Sequence, residues 1–286
     1  MRWIIGDVHG MAMPLDTLLT AVRQRDGEAR FYFCGDYCDR GPDTREVVDL
    51  LINLTASGEA FVVRGNHDEI FDLVLNHKSF ASSAETEANA PPDTIREAAS
   101  IFLGEGLLET LLSYGADGHA LWQAHRYRDV EGDWLQESIT GVPESHRKFF
   151  RQLPAVVETD DFAIVHACWP PDYVDESGDM NGRCARDEQL RHDVIWARYT
   201  ASQITSQKQW TRTVYVGHTP TSTYFAPPRL MRRGPQLLES PGDVIFGNQL
   251  VLCDTGCFAA DGRLSAVCHE TSEVVQVHRT GDLITD

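Results

Sequence analysis

Arg2-Trp3-Ile4-Ile5-Gly6-Asp7-Val8-His9-Gly10 decides the fold: an apolar run stops at a glycine and delivers an aspartate and a histidine. The pattern returns as Arg30-Phe31-Tyr32-Phe33-Cys34-Gly35-Asp36-Tyr37-Cys38-Asp39-Arg40-Gly41, and again as Ala60-Phe61-Val62-Val63-Arg64-Gly65-Asn66-His67-Asp68. Positions 7, 36 and 66 stand 29 and 30 residues apart, the length of a strand-helix-strand unit, which takes roughly 30 residues. Between them, Leu15, Leu18, Leu19 and Val22 after Pro14, and Val47, Val48, Leu51, Ile52 and Leu54, recur at helical spacing. The expectation is three buried parallel strands, over 2–5, 30–34 and 60–63, each ending in a polar motif. Ligands of open α/β sheets bind beyond the carboxyl ends of the strands, so the three motifs should converge on one crevice.

The residue types at those loop tips name the chemistry. Carboxylate and imidazole donors suit manganese, iron or zinc, and the lack of converging thiolates argues against an iron-sulfur or structural zinc site. A carboxylate has two oxygens and can bridge two ions, so a two-metal centre fits best, with Asp36 as the bridge. The flanking glycines permit positive φ and a close approach of the chain to a bound ion or phosphate.

On these motifs, and on Val165-His166-Ala167, Val194-Ile195-Trp196-Ala197-Arg198, Val216-Gly217-His218-Thr219 and Cys253-Asp254-Thr255-Gly256 with Gly262-Arg263-Leu264-Ser265-Ala266, the chain resembles calcineurin-like metallophosphoesterases. The similarity runs nearly end to end and points to the phosphoprotein phosphatase branch, with its bacterial and phage enzymes. It implies an α/β fold in which a two-sheet β-sandwich is flanked by helices. It implies that Asp7, His9 and Asp36 hold one metal and Asp36, Asn66, His166 and His218 the other, both divalent ions, with manganese the first choice and iron or zinc the alternatives. It further implies that Arg40 and Arg198 grip phosphate and that His67, oriented by Asp39, protonates the leaving group or steers the attack, the general acid being the first choice. A guanidinium is a planar, permanently charged fork matched to phosphate oxygens, and a carboxylate on one ring nitrogen fixes the tautomer and direction of a histidine.

The implied reaction is hydrolysis of phosphate monoesters by a hydroxide bound to the dinuclear centre, without a covalent phosphoenzyme. The expected substrates are phosphoserine and phosphothreonine proteins or peptides. The alternative is diadenosine-tetraphosphate hydrolysis, in a sister group that usually lacks the aspartate present here as Asp39; a noncatalytic phosphate-binding scaffold is the alternative of another class. No G-x-G-x-x-G or G-x-x-x-x-G-K-[ST] pattern follows the first strand, so dinucleotide binding or NTP hydrolysis of those types lacks support.

The rest of the chain bounds these expectations. Its 286 residues suffice for one metallophosphoesterase domain over 1–286, with insertions near 77–120 and 170–190 and an irregular segment near 221–248. The formal net charge of −18, from 43 acidic against 25 basic residues, disfavours nucleic acid and anionic membrane as partners. No apolar run is long enough to span a bilayer and the first motif begins at residue 6, so a cytoplasmic protein without a signal peptide is expected. The seven cysteines include no C-x-x-C pair and read as reduced, with Cys38 and Cys168 beside the site either packing or oxidation-sensitive. Segments 79–93 and 170–187 read as loops, 94–114 as a helical run that could lie over the cleft, and 244–253, 264–269 and 274–278 as paired strands, expected in a second sheet. Histidines 77, 119, 125, 146, 192, 269 and 278 read as surface or capping residues, and Asp254 as a support behind the site.

Overall fold

The computed structural model describes residues 1–76, 98–127, 134–170, 179–207, 210–225 and 242–284. Strands β1 (Arg2–Ile5), β2 (Arg30–Phe33) and β3 (Ala60–Val62) pair in parallel, with Ile5 opposite Phe33 and Phe33 opposite Val62. Their carboxyl ends therefore align. Helix α1 (Ala12–Arg25) and helix α2 (Thr44–Ala56) make the crossovers, and α3 (Asn66–Asn76) leaves the third motif. Pro14 lies within the first turn of α1, where its missing N–H costs no helical bond.

A second sheet repeats the arrangement. It contains β4 (Val156–Glu158), β5 (Phe162–Val165), β6 (Thr213–Val216), β7 (Ile245–Phe246) and β8 (Leu250–Leu252), in the order β4-β5-β6-β8-β7. Here β5, β6 and β8 are mutually parallel, so His166, His218 and Asp254 also follow carboxyl ends. Side chains alternate between the two faces. Ile4, Tyr32, Phe162, Ile164, Tyr215, Val251 and Val267 fill the space between the sheets, while Trp3, Ile5, Phe31 and Phe33 pack outward under α1 and α2 and Ala163, Val165, Val214 and Val216 pack outward on the far side. Strands buried on both faces have no polar side to show, which is why they read as unbroken apolar runs.

Several expectations are corrected. Strands β9 (Arg263–Cys268), β10 (Val274–His278) and β11 (Leu283–Ile284) join the first sheet, in the order β11-β10-β9-β1-β2-β3, because β9 pairs antiparallel with β1, Ile5 opposite Ala266. The span 244–253 is two strands, β7 and β8, paired antiparallel. The helical run expected over 94–114 breaks at Gly106, whose φ of 114° no helix accommodates, and resumes over Leu108–Ser113. Within 170–187, residues Met180–Cys184 are helical, capped by the Asp179 side chain. The loop expected over 79–93 and most of the irregular segment near 221–248 lie outside the described residues, as does His77. His146 is no surface residue: it is buried, with Nδ1 at 2.9 Å from the Tyr114 hydroxyl and Nε2 at 3.0 Å from Asp49.

Candidate metal centre

The ends of β1, β2 and β3 meet the ends of β5, β6 and β8, and all the expected ligand side chains arrive at one place. Asp36 lies between two groups of donors, His9 and His67 on one side and Asp7 and His166 on the other. Its Oδ2 is 3.5 Å from His9 Nε2 and 3.4 Å from His166 Nε2. Asn66 Oδ1 lies 3.0 Å from His166 Nε2 and 2.8 Å from His218 Nδ1. Asp7 Oδ2 accepts from the His218 backbone N–H at 2.9 Å and lies 4.0 Å from His9 Nε2. The geometry thus unites Asp7, His9, Asp36, Asn66, His166 and His218.

Backbone carbonyls set which nitrogen of each imidazole faces inward. A carbonyl only accepts, so His9 Nδ1 donates to Cys38 O at 2.9 Å, His166 Nδ1 to Cys34 O at 2.7 Å, and His218 Nε2 to Trp196 O at 3.0 Å. In each ring the other nitrogen points at the carboxylates or at Asn66, the outer support seen around metal-ligating histidines. Burial, His166 and Arg198 hold His218 down to about 2, so its Nδ1 is a bare lone pair only 2.8 Å from a carbonyl oxygen. Such a pair is relieved by a cation between them or by the Asn66 amide turning its NH2 to the ring. Asp7 Oδ1 supplies a second sign, since it is buried without a hydrogen-bond partner, a costly state for a carboxylate oxygen. The donor set fits divalent first-row ions.

Electrostatics agree. Asp7, Asp36, Asp39, Asp68 and Asp254 are all buried. Burial, Asp254 and Asp36 push the Asp7 carboxyl well above the ordinary range. Burial also acts to raise Asp36, but His166, His67 and His9 around it outweigh that and hold it well below. So many carboxylates out of water need cations nearby.

The chain is bent to make this possible. His9, Asp36, Asp39, Arg40 and His218 all have φ between 46° and 69°, a region uncommon for non-glycine residues and concentrated at functional sites. Gly217 lets the chain pass Asp7, since a Cβ there would stand 2.0 Å from Asp7 Oδ1.

On the first-sheet side, His67 Nδ1 is 2.6 Å from Asp39 Oδ2, both buried. Its Nε2 faces Arg40, whose fork reaches His9 Nε2 at 2.8 Å and His67 Nε2 at 3.0 Å. The Phe258 ring lies 4.2 Å beneath that guanidinium. Arg198 is more exposed and its Nη1 donates to Thr219 Oγ1 at 2.7 Å, so it borders the ligand loop of His218. Cys38 is buried beside Asp68, and burial with the neighbouring carboxylates pushes its thiol well up, which favours packing over reactivity. All seven cysteines are free.

Three contributors carry no clear mark in the sequence. Asp68 accepts from the backbone N–H groups of Asp36, Tyr37 and Gly65, each at 2.9 Å, and so ties the second motif to the third; burial and Asp36 push it up to about 6. Its place directly after His67 was the signal available. Glu69 accepts from the Trp196 indole at 2.6 Å and from Arg191 Nε at 2.8 Å, fixing the segment whose carbonyl holds His218. Thr110 contacts Asp39 from a segment 71 residues away, and nothing local announces it.

A fold of two helix-flanked sheets with such a crevice is that of a metallophosphoesterase. The sequence pattern of the calcineurin-like phosphoesterase family matches residues 2–197, and the chain belongs to that family. It is 44% identical over 64 residues to the symmetrical bis(5'-nucleosyl)-tetraphosphatase of Ralstonia nicotianae, a stretch that spans 22% of that relative's length. It is 24% identical over 302 residues to the asymmetrical bis(5'-nucleosyl)-tetraphosphatase PrpE of Anoxybacillus flavithermus, covering 97% of this chain and 94% of that one. A crystal structure described as that of a candidate diadenosine tetraphosphatase shares the fold, at 19% identity and a TM-score of 0.52, over 96% of this chain and 92% of that one. Among the described residues no helix is long and apolar enough to cross a membrane.

Proposed function

We propose that the protein is a metal-dependent phosphomonoesterase acting on phosphoserine and phosphothreonine in cytoplasmic proteins or peptides. The observation that carries this reading is the buried 2.6 Å hydrogen bond between Asp39 Oδ2 and His67 Nδ1. Asp39 accepts from Nδ1–H, which leaves His67 Nε2 facing the crevice; Nε2 here accepts from Arg40 Nη2 at 3.0 Å, so it can hand a proton to a leaving oxygen once Arg40 has turned to the phosphate and Nε2 is itself protonated. Such a donor matters most when the leaving group is a poor one. The alkoxide of serine or threonine is poor; a nucleotide leaves a phosphoanhydride as a stabilised anion and needs little protonation.

The other roles are those the sequence resemblance implies, and they are supported by the convergence of the same side chains, although Asp7 groups here with His166 and His9 with His67 around Asp36. Asp7, His9 and Asp36 would hold one divalent ion and Asp36, Asn66, His166 and His218 the other, with manganese first and iron or zinc as alternatives; when bound, the ions supply Lewis-acid polarisation of water and of phosphate oxygens. Arg40, braced on Phe258, would turn its fork from His9 and His67 to the phosphate oxygens, and Arg198 would add a second. The −18 formal charge suits a basic peptide around the phosphate.

The second reading, hydrolysis of a dinucleoside tetraphosphate, draws on the names of the relatives, all the more because one of them aligns over 97% of this chain. The test is turnover by the manganese-loaded protein of a phosphoserine peptide, p-nitrophenyl phosphate and diadenosine tetraphosphate, with His67→Asn and Asp36→Asn beside wild type. The expected result is that His67→Asn keeps its metal and loses about a hundredfold on the peptide, the lower end for general acid-base catalysis, but far less on the anhydride. Preferred cleavage of the dinucleotide by wild type would replace the first reading with the second, and turnover of none would leave a phosphate-binding scaffold.

A further inference from the structure

Thr110 is buried and belongs to the helix Leu108–Ser113, which packs over the second motif. Its hydroxyl donates to Asp39 Oδ1 at 2.8 Å and accepts from the Asp39 backbone N–H at 2.7 Å. Because its single proton goes to Asp39, the Thr44 hydroxyl, 3.1 Å away, donates to Thr110. The result is a directed chain: Thr44 O–H to Thr110, Thr110 O–H to Asp39 Oδ1, and His67 Nδ1–H to Asp39 Oδ2 at 2.6 Å. Asp39 and Arg40 both sit at φ 69°, so their conformation is not one the backbone would choose alone. The turn before Thr110 braces the same residues, with Arg40 N–H donating to Gly106 O at 3.2 Å and a Cβ at Gly106 falling 2.2 Å from Arg40 N.

We infer that Thr110 is a positioning residue: it holds both the backbone and the free carboxylate oxygen of Asp39, and through Asp39 it aims the His67 ring at the leaving oxygen. This rests on the reading of His67 as the proton donor. Thr44 lies one bond further out and shares the role. With one oxygen anchored, the carboxylate cannot rotate, and the ring it binds has one orientation; a small error of aim in a proton donor lowers turnover without touching ground-state binding.

The test compares Thr110→Val, which keeps shape and removes the hydroxyl, with Thr110→Ser, which keeps the hydroxyl. The expected result is a kcat on a phosphoserine peptide lowered about tenfold by Thr110→Val with KM changed less than about twofold, recovery in Thr110→Ser, and no further loss when Thr110→Val is added to His67→Asn. In the metal-free protein, the downfield proton signal of His67 Nδ1–H should move in Thr110→Val and return in Thr110→Ser. If Thr110→Val does not fold, Thr110→Cys, which fills most of the same space with a thiol that donates only weakly, carries the same comparison. A folded hydroxyl-free variant with unchanged kcat, an equal loss on the His67→Asn background, or no recovery with serine overturns the inference. A His67→Asn enzyme that cleaves the peptide as wild type does would instead sink the assignment of His67 as donor, a separate failure.

Discussion

At the residue scale the site is a problem of lone pairs. His218 Nδ1 and Asn66 Oδ1 face each other at 2.8 Å with no proton to share, and Asp7 Oδ1 is buried with no donor. Turning the Asn66 amide relieves the first contact in a bare protein, whereas the unpartnered Asp7 oxygen is relieved by a cation, so its burial favours metal binding. Gly217 makes that approach possible. Gly217→Ala would drive a methyl group into Asp7 Oδ1, 2.0 Å from the ideal Cβ; the expected outcome is loss of about one metal ion per chain and of nearly all turnover, read by elemental analysis of the reconstituted protein. A full metal complement in that variant would remove Asp7 from the ligand set.

At the element scale, the strands work by alternation. Along β5, Phe162 and Ile164 enter the space between the sheets while Ala163 and Val165 pack beneath the outer helices. Phe162 is fully buried, edge-on to Tyr32 at 5.0 Å and to Tyr215 at 5.8 Å, with the Arg2 guanidinium 5.1 Å from its ring centre. It is a bolt between the two sheets whose ends jointly build the site. Phe162→Ala should destabilise the fold by about 3–5 kcal/mol, the usual cost of a buried aromatic truncated to a cavity, seen as a shift of the urea midpoint. A loss under about 1 kcal/mol would mean the sheets are held mainly elsewhere.

At the scale of the whole molecule, the sandwich is clasped at the amino ends of the strands whose carboxyl ends build the crevice, by Arg2, which bonds Asp161 at 2.7 Å and Glu270 at 2.8 Å and so joins β1, the start of β5 and the turn after β9. Burial acts to raise Glu270, but the Arg2 guanidinium and backbone outweigh it and hold it at about 2, against an ordinary 4.5. A carboxylate depressed by folding contributes stability that is present above its unfolded value and lost as pH falls through the folded one. Its contribution should therefore fade between pH 4.5 and about 2. Arg2, Asp161 and Glu270 are partly exposed, so the term is screened to about 1 kcal/mol. The prediction is that the stability gap between wild type and Glu270→Gln closes over that window; a gap independent of pH would assign it to packing instead.

The chain's own residues, read in order, determined the class of chemistry and much of the frame. Three apolar runs about 30 residues apart, each closing on glycine and a carboxylate, amide or imidazole, could hardly be anything but parallel strands feeding one crevice, and the residues expected there are the ones that meet. That information is local, carried by hydrophobic period and by side-chain type. Tertiary structure alone decided the rest. The C-terminal strands looked like a second sheet because strand patterning records burial and not partnership; pairing of Ile5 with Ala266 put them in the first. Thr110 lies inside the run expected to be helical, and it supports Asp39 only because Gly106 breaks that run and lays the helix across a motif 71 residues earlier. His146 likewise went from surface to interior through Tyr114 and Asp49. Hydrogen bonds between segments distant in sequence leave no period and no spacing, so they are written only in three dimensions.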